Sequence, residues 1–129
     1  MIVGLGIECV DAERFGALHQ KNGERLLGRL FTEKECQTAG SGKRSVERLA
    51  VRFAAKVATR RALFGSPMKG ATIWQDFEVH TAPSGQPEMH LAGEARLRAE
   101  TLGVQRVHLT LSHDFPHCIG HVLLEGHGD

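Results

Sequence analysis

Residues 45–65, SVERLAVRFAAKVATRRALFG, decide the fold. Val46, Leu49, Ala50, Phe53, Val57 and Phe64 recur at helical spacing, Ser45 can cap the start, Gly65 can stop the run, and Pro67 stands just beyond. The spacing predicts one long helix over about 46–64. Arg48, Arg52, Lys56 and Arg60 step by four along it as a basic stripe, with Arg61 beside them. Such a stripe is either a solvated face or a site for phosphate or an acidic partner. Charge spacing alone favours the solvated face.

Upstream, Val3, Leu5, Ile7 and Cys9 alternate with Gly4, Gly6 and Glu8, the pattern of a strand with one apolar face. The glycine face lets something approach the backbone closely just before Glu8. Asp11 can cap a short helix through Arg14 and Leu18, and Asn22 can start a further segment carrying Leu26, Leu27 and Leu30. Thr32-Glu33-Lys34-Glu35 is a capping box. Downstream the period changes to two. Phe77, Val79 and Thr81 form a strand, Pro83-Ser84-Gly85 a turn, and Glu88 to Leu91 the returning partner. Gly93 to Leu102 reads as a short helix ended by Gly103. Val107, Leu109 and Leu111 define a strand ending at His113-Asp114, Pro116 breaks it, and Ile119 to Glu125 gives the last strand. Helices gathered early and strands late imply an α+β fold, with one long central helix packed on an antiparallel sheet.

The chain has 129 residues, 41% hydrophobic and 24% charged, with net charge +1, which fits a single domain over residues 1–129 and argues against disorder. No apolar run approaches the roughly 20 residues of a membrane helix. The first ten residues lack a basic n-region and contain Glu8, so they read as strand rather than secretory signal. Cys9, Cys36 and Cys118 are odd in number and form no C-x-x-C, which suits a reducing cytoplasm. With six Phe, one Trp and no Tyr, an aromatic platform for single-stranded nucleic acid is disfavoured. Nor does a helix-turn-helix signature turn the basic stripe into a duplex reader.

Three further features bear on chemistry. His113, His117 and His121 are spaced by four around Cys118, which on a helix would make a metal stripe; Pro116 and the run 122–124 place them on strands, where they scatter. Leu111-Ser112-His113-Asp114 puts a histidine beside a carboxylate at a strand end. It is either a general base, phosphate ligand or metal neighbour, or a solvent-facing residue. It is no Ser-His-Asp triad, because neighbours on a strand point to opposite faces. Glu8, after two glycines, suits Mg²⁺ or a phosphate-bearing ligand, or is an ordinary strand-end charge.

Together these blocks are specific. Val3-Gly4-Leu5-Gly6-Ile7-Glu8 with Arg14, Phe31-Thr32-Glu33-Lys34-Glu35, Arg52-Phe53-Ala54-Ala55-Lys56 with Ala58, Trp74-Gln75-Asp76-Phe77-Glu78-Val79, Gly85-Gln86-Pro87 and Leu109-Thr110-Leu111-Ser112-His113-Asp114 resemble, in order and spacing, the holo-acyl-carrier-protein synthase family. The resemblance implies transfer of 4′-phosphopantetheine from coenzyme A to a serine of an acyl carrier protein of fatty-acid or polyketide synthesis, releasing 3′,5′-ADP. It also implies a Mg²⁺ requirement and a homotrimer with sites at subunit interfaces. By position, Glu8 falls where the family has a Mg²⁺-binding Asp, and Arg14 where an arginine docks the acidic carrier. Arg52 and Lys56 match basic residues of the signature helix. Arg61 stands where a Lys contacts the 3′-phosphate, and His113 matches a histidine near that phosphate.

Two departures stand out. Val57 occupies the position of a second metal-ligating Glu, and Glu8 is one methylene longer than Asp. Mg²⁺ demands near-octahedral geometry, so both matter. Either the site is rebuilt, with Glu8 and Asp114 as its carboxylates, or it is degraded, leaving a noncatalytic module that binds coenzyme A or the carrier protein.

Overall fold

The computed structural model describes residues 1–65 and 70–127; Pro67 lies outside them. The chain runs β1 (Ile2–Asp11), α1 (Ala12–Leu30), α2 (Glu33–Ala39), α3 (Ser45–Phe64), a 3₁₀ turn (Trp74–Asp76), β2 (Phe77–Thr81), β3 (Pro87–Leu91), α4 (Gly93–Leu102), β4 (Val104–Asp114) and β5 (His117–Gly126). The α+β class and the long central helix are as expected.

The local signals mostly do what their chemistry requires. Asp11 accepts from the amides of Glu13 and Arg14, capping α1. Gly23, at φ 60° and ψ −146°, breaks α1 into the two segments that the sequence separates. Thr32 and Glu35 exchange both bonds of the capping box. The start of α3 differs: Ser45 is already helical, and its hydroxyl donates back to Gly42 O at 2.8 Å rather than capping. Gly65 ends α3, its amide donating to Arg61 O at 2.7 Å.

The expected single sheet is two. β1, β5 and β4 form one antiparallel sheet in that order, and β2 pairs only with β3. The hairpin buries Phe77, Val79 and Met89 in the same core as Leu109, Val122 and Leu124. Its turn reaches β4 through a side chain, Gln86 Nε2 donating to Leu109 O, rather than through a backbone ladder.

α3 lies directly on the backbone of β1 and β5. A Cβ on Gly120 would stand 2.6 Å from Ala55 N, and one on Gly4 2.7 Å from Ala62 O. One on Gly6 would fall inside the Ala58 carbonyl oxygen. The close approach legible at Gly4 and Gly6 is therefore taken by α3 and not by a ligand. The alternate residues of β1 point the other way: Leu5 and Ile7 are 58% and 60% exposed. Among the described residues no helix is long and apolar enough to cross a membrane.

Candidate functional site

Glu8 follows Gly6 on the α3 side of β1, at the end of that close contact. Its Oε1 accepts from the amide of Cys9 at 3.1 Å, and its Oε2 lies 3.2 Å from Arg61 Nη1 in the last turn of α3. Arg61 Nη1 also donates to Ile7 O at 3.2 Å. Both side chains stay accessible, 35% for Arg61 and 25% for Glu8. An open hollow of about 640 Å³ adjoins, lined by Leu5, Gly6, Ile7, Arg61, Gly65 and His121. Val57, one helical turn before Arg61, is buried and brings no metal-ligating atom.

His113 and Asp114 end β4. His113 Nδ1 pairs with Glu47 Oε1 from the first turn of α3, and the imidazole is half exposed. Asp114 is exposed. β5 separates this pair from Glu8. Gly120 of β5 faces Glu8 on one side and Leu111 on the other, while His117 faces Asp11 and Asp114. Two strand spacings alone amount to about 10 Å. Glu8 and Asp114 thus do not share an ion within one chain. Among the described residues no group of three or more His, Cys, Asp or Glu could hold a metal. Glu8 keeps lone pairs on both oxygens, so it could give a divalent ion one carboxylate, which fits an ion held mainly by other oxygen ligands and not a protein cage.

The basic stripe is neither solvated nor available as a unit. Arg48 is exposed, but Arg52, Lys56 and Arg60 are buried. Lys56 is fully buried, and its ammonium donates to Glu35 Oε1 at 2.6 Å, Leu30 O at 2.8 Å and Trp74 O at 3.1 Å. An ammonium has three donors, so none is left for a ligand. This removes Lys56 from the coenzyme A contacts inferred by position. Burial pushes the Lys56 ammonium below the usual lysine range, with Glu35 pulling the other way. Glu35 also accepts from the amides of Thr32 and Val79. The pair therefore ties α1, α2, α3, the 3₁₀ turn and β2 together. The sequence carried one usable signal for it: a lysine amid apolar helix positions requires a buried acid, and Glu35 is the acid of a capping box that closes before α3.

Arg60 donates from Nε to Thr72 Oγ1 at 3.1 Å, with its guanidinium over the Phe64 ring. Arg52 donates from Nη1 to Arg48 O at 3.0 Å, while its buried Nε has no hydrogen-bond partner among the described residues. Burial lowers the Arg52 pKa from its ordinary value, with Glu35 pulling the other way. Arg14 is exposed in the first turn of α1. His117 and His121 are exposed on β5, apart from His113 on β4. Glu47 is the partner that the sequence reading missed. It lies 66 residues from His113, and nothing local connects them.

A largely buried helix set on a glycine-faced sheet, with a carboxylate and a guanidinium meeting accessibly at its rim, makes a small α+β domain. The model of the 4′-phosphopantetheinyl transferase superfamily matches residues 4–119, and the chain belongs to the holo-acyl-carrier-protein synthase family within it. It is 42% identical over 125 residues to a holo-[acyl-carrier-protein] synthase of Koribacter versatilis, covering 97% of this chain and 99% of the relative. It is 40% identical over 126 residues to the one from Streptomyces griseus, covering 98% and 100%. Among solved structures, the holo-[acyl-carrier-protein] synthase of Neisseria meningitidis superposes with TM-score 0.83 at 31% identity, over 97% of this chain and 99% of that one. A holo-(acyl-carrier-protein) synthase of Bacillus anthracis in complex with CoA (3′,5′-ADP) gives TM-score 0.77 at 30% identity, over 98% and 99%.

Proposed function

We propose that the chain, acting as one domain over residues 1–129, transfers 4′-phosphopantetheine from coenzyme A to a serine of an acyl carrier protein and releases 3′,5′-ADP. The observation that carries this reading is the partly exposed Glu8–Arg61 pair at the rim of α3. There a guanidinium can exchange its own carboxylate for a phosphate. Arg61 and the underused Arg52 bind phosphate charge, and His113 presents its ring to the same donor. The attacking hydroxyl comes from the carrier, so no nucleophile of this chain needs activating. Arg14, exposed at the start of α1, meets the acidic carrier. Mg²⁺ brought by the pyrophosphate would be held by Glu8 and would neutralise charge on the phosphoryl oxygens.

The proposal includes assembly as a homotrimer. Leu5 and Ile7 stand exposed on the sheet face opposite α3, with the half-buried Ile119 and Leu123 beside them on β5. Such an apolar sheet face favours a protein partner. Glu8 and His113 lie on opposite edges of that sheet, so a neighbouring copy is the means by which His113 and Asp114 approach a Glu8.

The test is the intact mass of an apo acyl carrier protein after incubation with this protein, coenzyme A and Mg²⁺. A gain of one phosphopantetheine, abolished by chelator, is expected. A second reading, a noncatalytic module that binds coenzyme A or the carrier, is favoured by Val57 and by the pairing of Glu8 with Arg61. It replaces the first if the carrier stays unmodified while an active relative converts it and this chain still binds coenzyme A.

A further inference from the structure

We infer that Glu47 is a positioning residue that sets the ring of His113 for a phosphate monoester. The inference rests on the proposal that His113 faces the phosphate of the donor nucleotide. Glu47 sits in the first turn of α3, and its carboxylate takes His113 Nδ1. The acid is well covered, with its side chain 18% exposed, whereas the imidazole is 51% exposed. A fixed group therefore holds an accessible one.

The backbone closes the arrangement. Glu47 O lies 3.8 Å from the Cys118 sulfur, and Cys118 is the residue directly opposite His113 in the β4–β5 ladder. Helix, central strand and edge strand are thereby tied at one point, and Asp114 points to the other side of the strand from His113. With Nδ1 committed to the carboxylate, Nε2 is the nitrogen left for a ligand. Held at Nδ1, the ring turns Nε2 towards a phosphate oxygen of a ligand. Glu47 contributes by holding the ring in place before the ligand arrives, so less freedom is lost on binding.

The experiment measures binding of adenosine 3′,5′-bisphosphate and of 5′-AMP by calorimetry, and steady-state transfer with coenzyme A and with 3′-dephospho-coenzyme A. The variants are Glu47→Ala, Glu47→Gln, His113→Ala and the double alanine. Glu47→Ala is expected to weaken bisphosphate binding and raise KM for coenzyme A about five- to tenfold, with kcat held within about twofold. Glu47→Gln recovers most of the loss, because its amide oxygen still accepts from Nδ1. The 5′-AMP and dephospho substrates are unaffected, and Glu47→Ala adds nothing in the His113→Ala background.

Equal losses for both nucleotides, additivity with His113→Ala, or a fall in kcat alone would overturn the inference. If His113→Ala leaves bisphosphate affinity unchanged, the donor-phosphate role of His113 fails. If His113→Ala weakens binding and Glu47→Ala does not, only the role of Glu47 fails. Ring ¹⁵N shifts of His113 supply a readout independent of activity and are measurable on the folded wild type and on Glu47→Gln. Nδ1 should carry the proton in the wild type, and a ring protonated only at Nε2 would sink the proposal.

Discussion

Two of the ion pairs on α3 do opposite work. Lys56–Glu35 is closed: 2.6 Å apart, both side chains at 0% exposure, every ammonium hydrogen placed. Arg61–Glu8 is open: 3.2 Å apart, with 35% and 25% exposure and a hollow beside it. The charges are of the same kind and the two basic residues are five positions apart. What separates them is the neighbour across the helix. Lys56 faces α1, α2 and the 3₁₀ turn, which seal it. Arg61 faces the rim of β1, beyond the glycines, where the sheet ends and solvent begins. A sealed pair fixes the fold and has no capacity for a ligand, whereas an open pair adds little stability and can be exchanged for an anion.

The comparison breaks first on stability. Lys56→Ala leaves Glu35 buried and unpaired, and is expected to destabilise by about 3–5 kcal/mol in urea unfolding. Lys56→Met with Glu35→Gln should recover part of that, since the charge then leaves with its partner. A loss below about 1 kcal/mol for Lys56→Ala would mean that the pair is no more sealed than a surface bridge.

Cys118 sharpens the comparison as a buried group with no counter-ion. It is fully buried, and burial first, then the nearby Glu47 carboxylate, pushes its thiol from 9.0 up to about 11. The folded state therefore keeps a proton that the unfolded chain releases between those values. The associated stability is present in full below pH 9 and is lost as pH rises towards 11. The full shift is worth on the order of 2–3 kcal/mol. Lys56 runs the opposite way, because its lowered pKa makes the folded state shed a proton first and so gain stability as pH rises towards 10.5. Wild type minus Cys118→Ala isolates the thiol: the difference should shrink across the alkaline range and stay flat below it.

Val57 tests the ground between the pairs. Val57→Glu puts a carboxylate at a position only 4% exposed, one turn from Arg61, and should cost about 1–3 kcal/mol without metal. If the new acid faces Glu8, millimolar Mg²⁺ restores stability by about 2.7 kcal/mol at a hundredfold excess over Kd, and the wild type shows no such rise. Thermal unfolding with and without Mg²⁺ reads this directly. No Mg²⁺ response in the folded variant would mean that the two positions do not converge.

Much of this architecture was legible, for physical reasons that differ by residue. The limits of α4, the break at Gly23 and the capping box follow from backbone chemistry within a few residues, and local sequence carries that. The glycines of β1 announced a close approach but not its occupant, because only the folded chain shows that Ala58 of α3 fills it. The stripe misled. Spacing by four says that residues share a helix face, not whether that face meets water, and here α1, α2 and the 3₁₀ turn cover it. At the site, Glu8 and Arg61 come together from opposite ends of the β1–α3 contact, a pairing that the sequence reading did not anticipate. Glu8 and Asp114 of one chain do not come together, because strand order β1-β5-β4 is a long-range property that no local spacing encodes.

The smallest effect on stability belongs to the open pair, and there function and stability part. Arg61→Ala and Glu8→Gln should each change unfolding free energy by no more than about 1 kcal/mol, because both groups stay in contact with water. Their effects on ligand binding should have opposite signs. Arg61→Ala removes a phosphate donor and weakens adenosine 3′,5′-bisphosphate. Glu8→Gln releases Arg61 from its own carboxylate and strengthens the same ligand, while, on the proposed function, transfer to the carrier falls with the loss of the carboxylate that would hold Mg²⁺. Both binding changes should fade at high salt, as expected for partly exposed charges. Calorimetry at two salt concentrations, with urea unfolding alongside, separates these outcomes. If Glu8→Gln destabilises the fold by more than about 2 kcal/mol, Arg61–Glu8 belongs with the sealed pairs, since an exposed bridge has no such energy to lose.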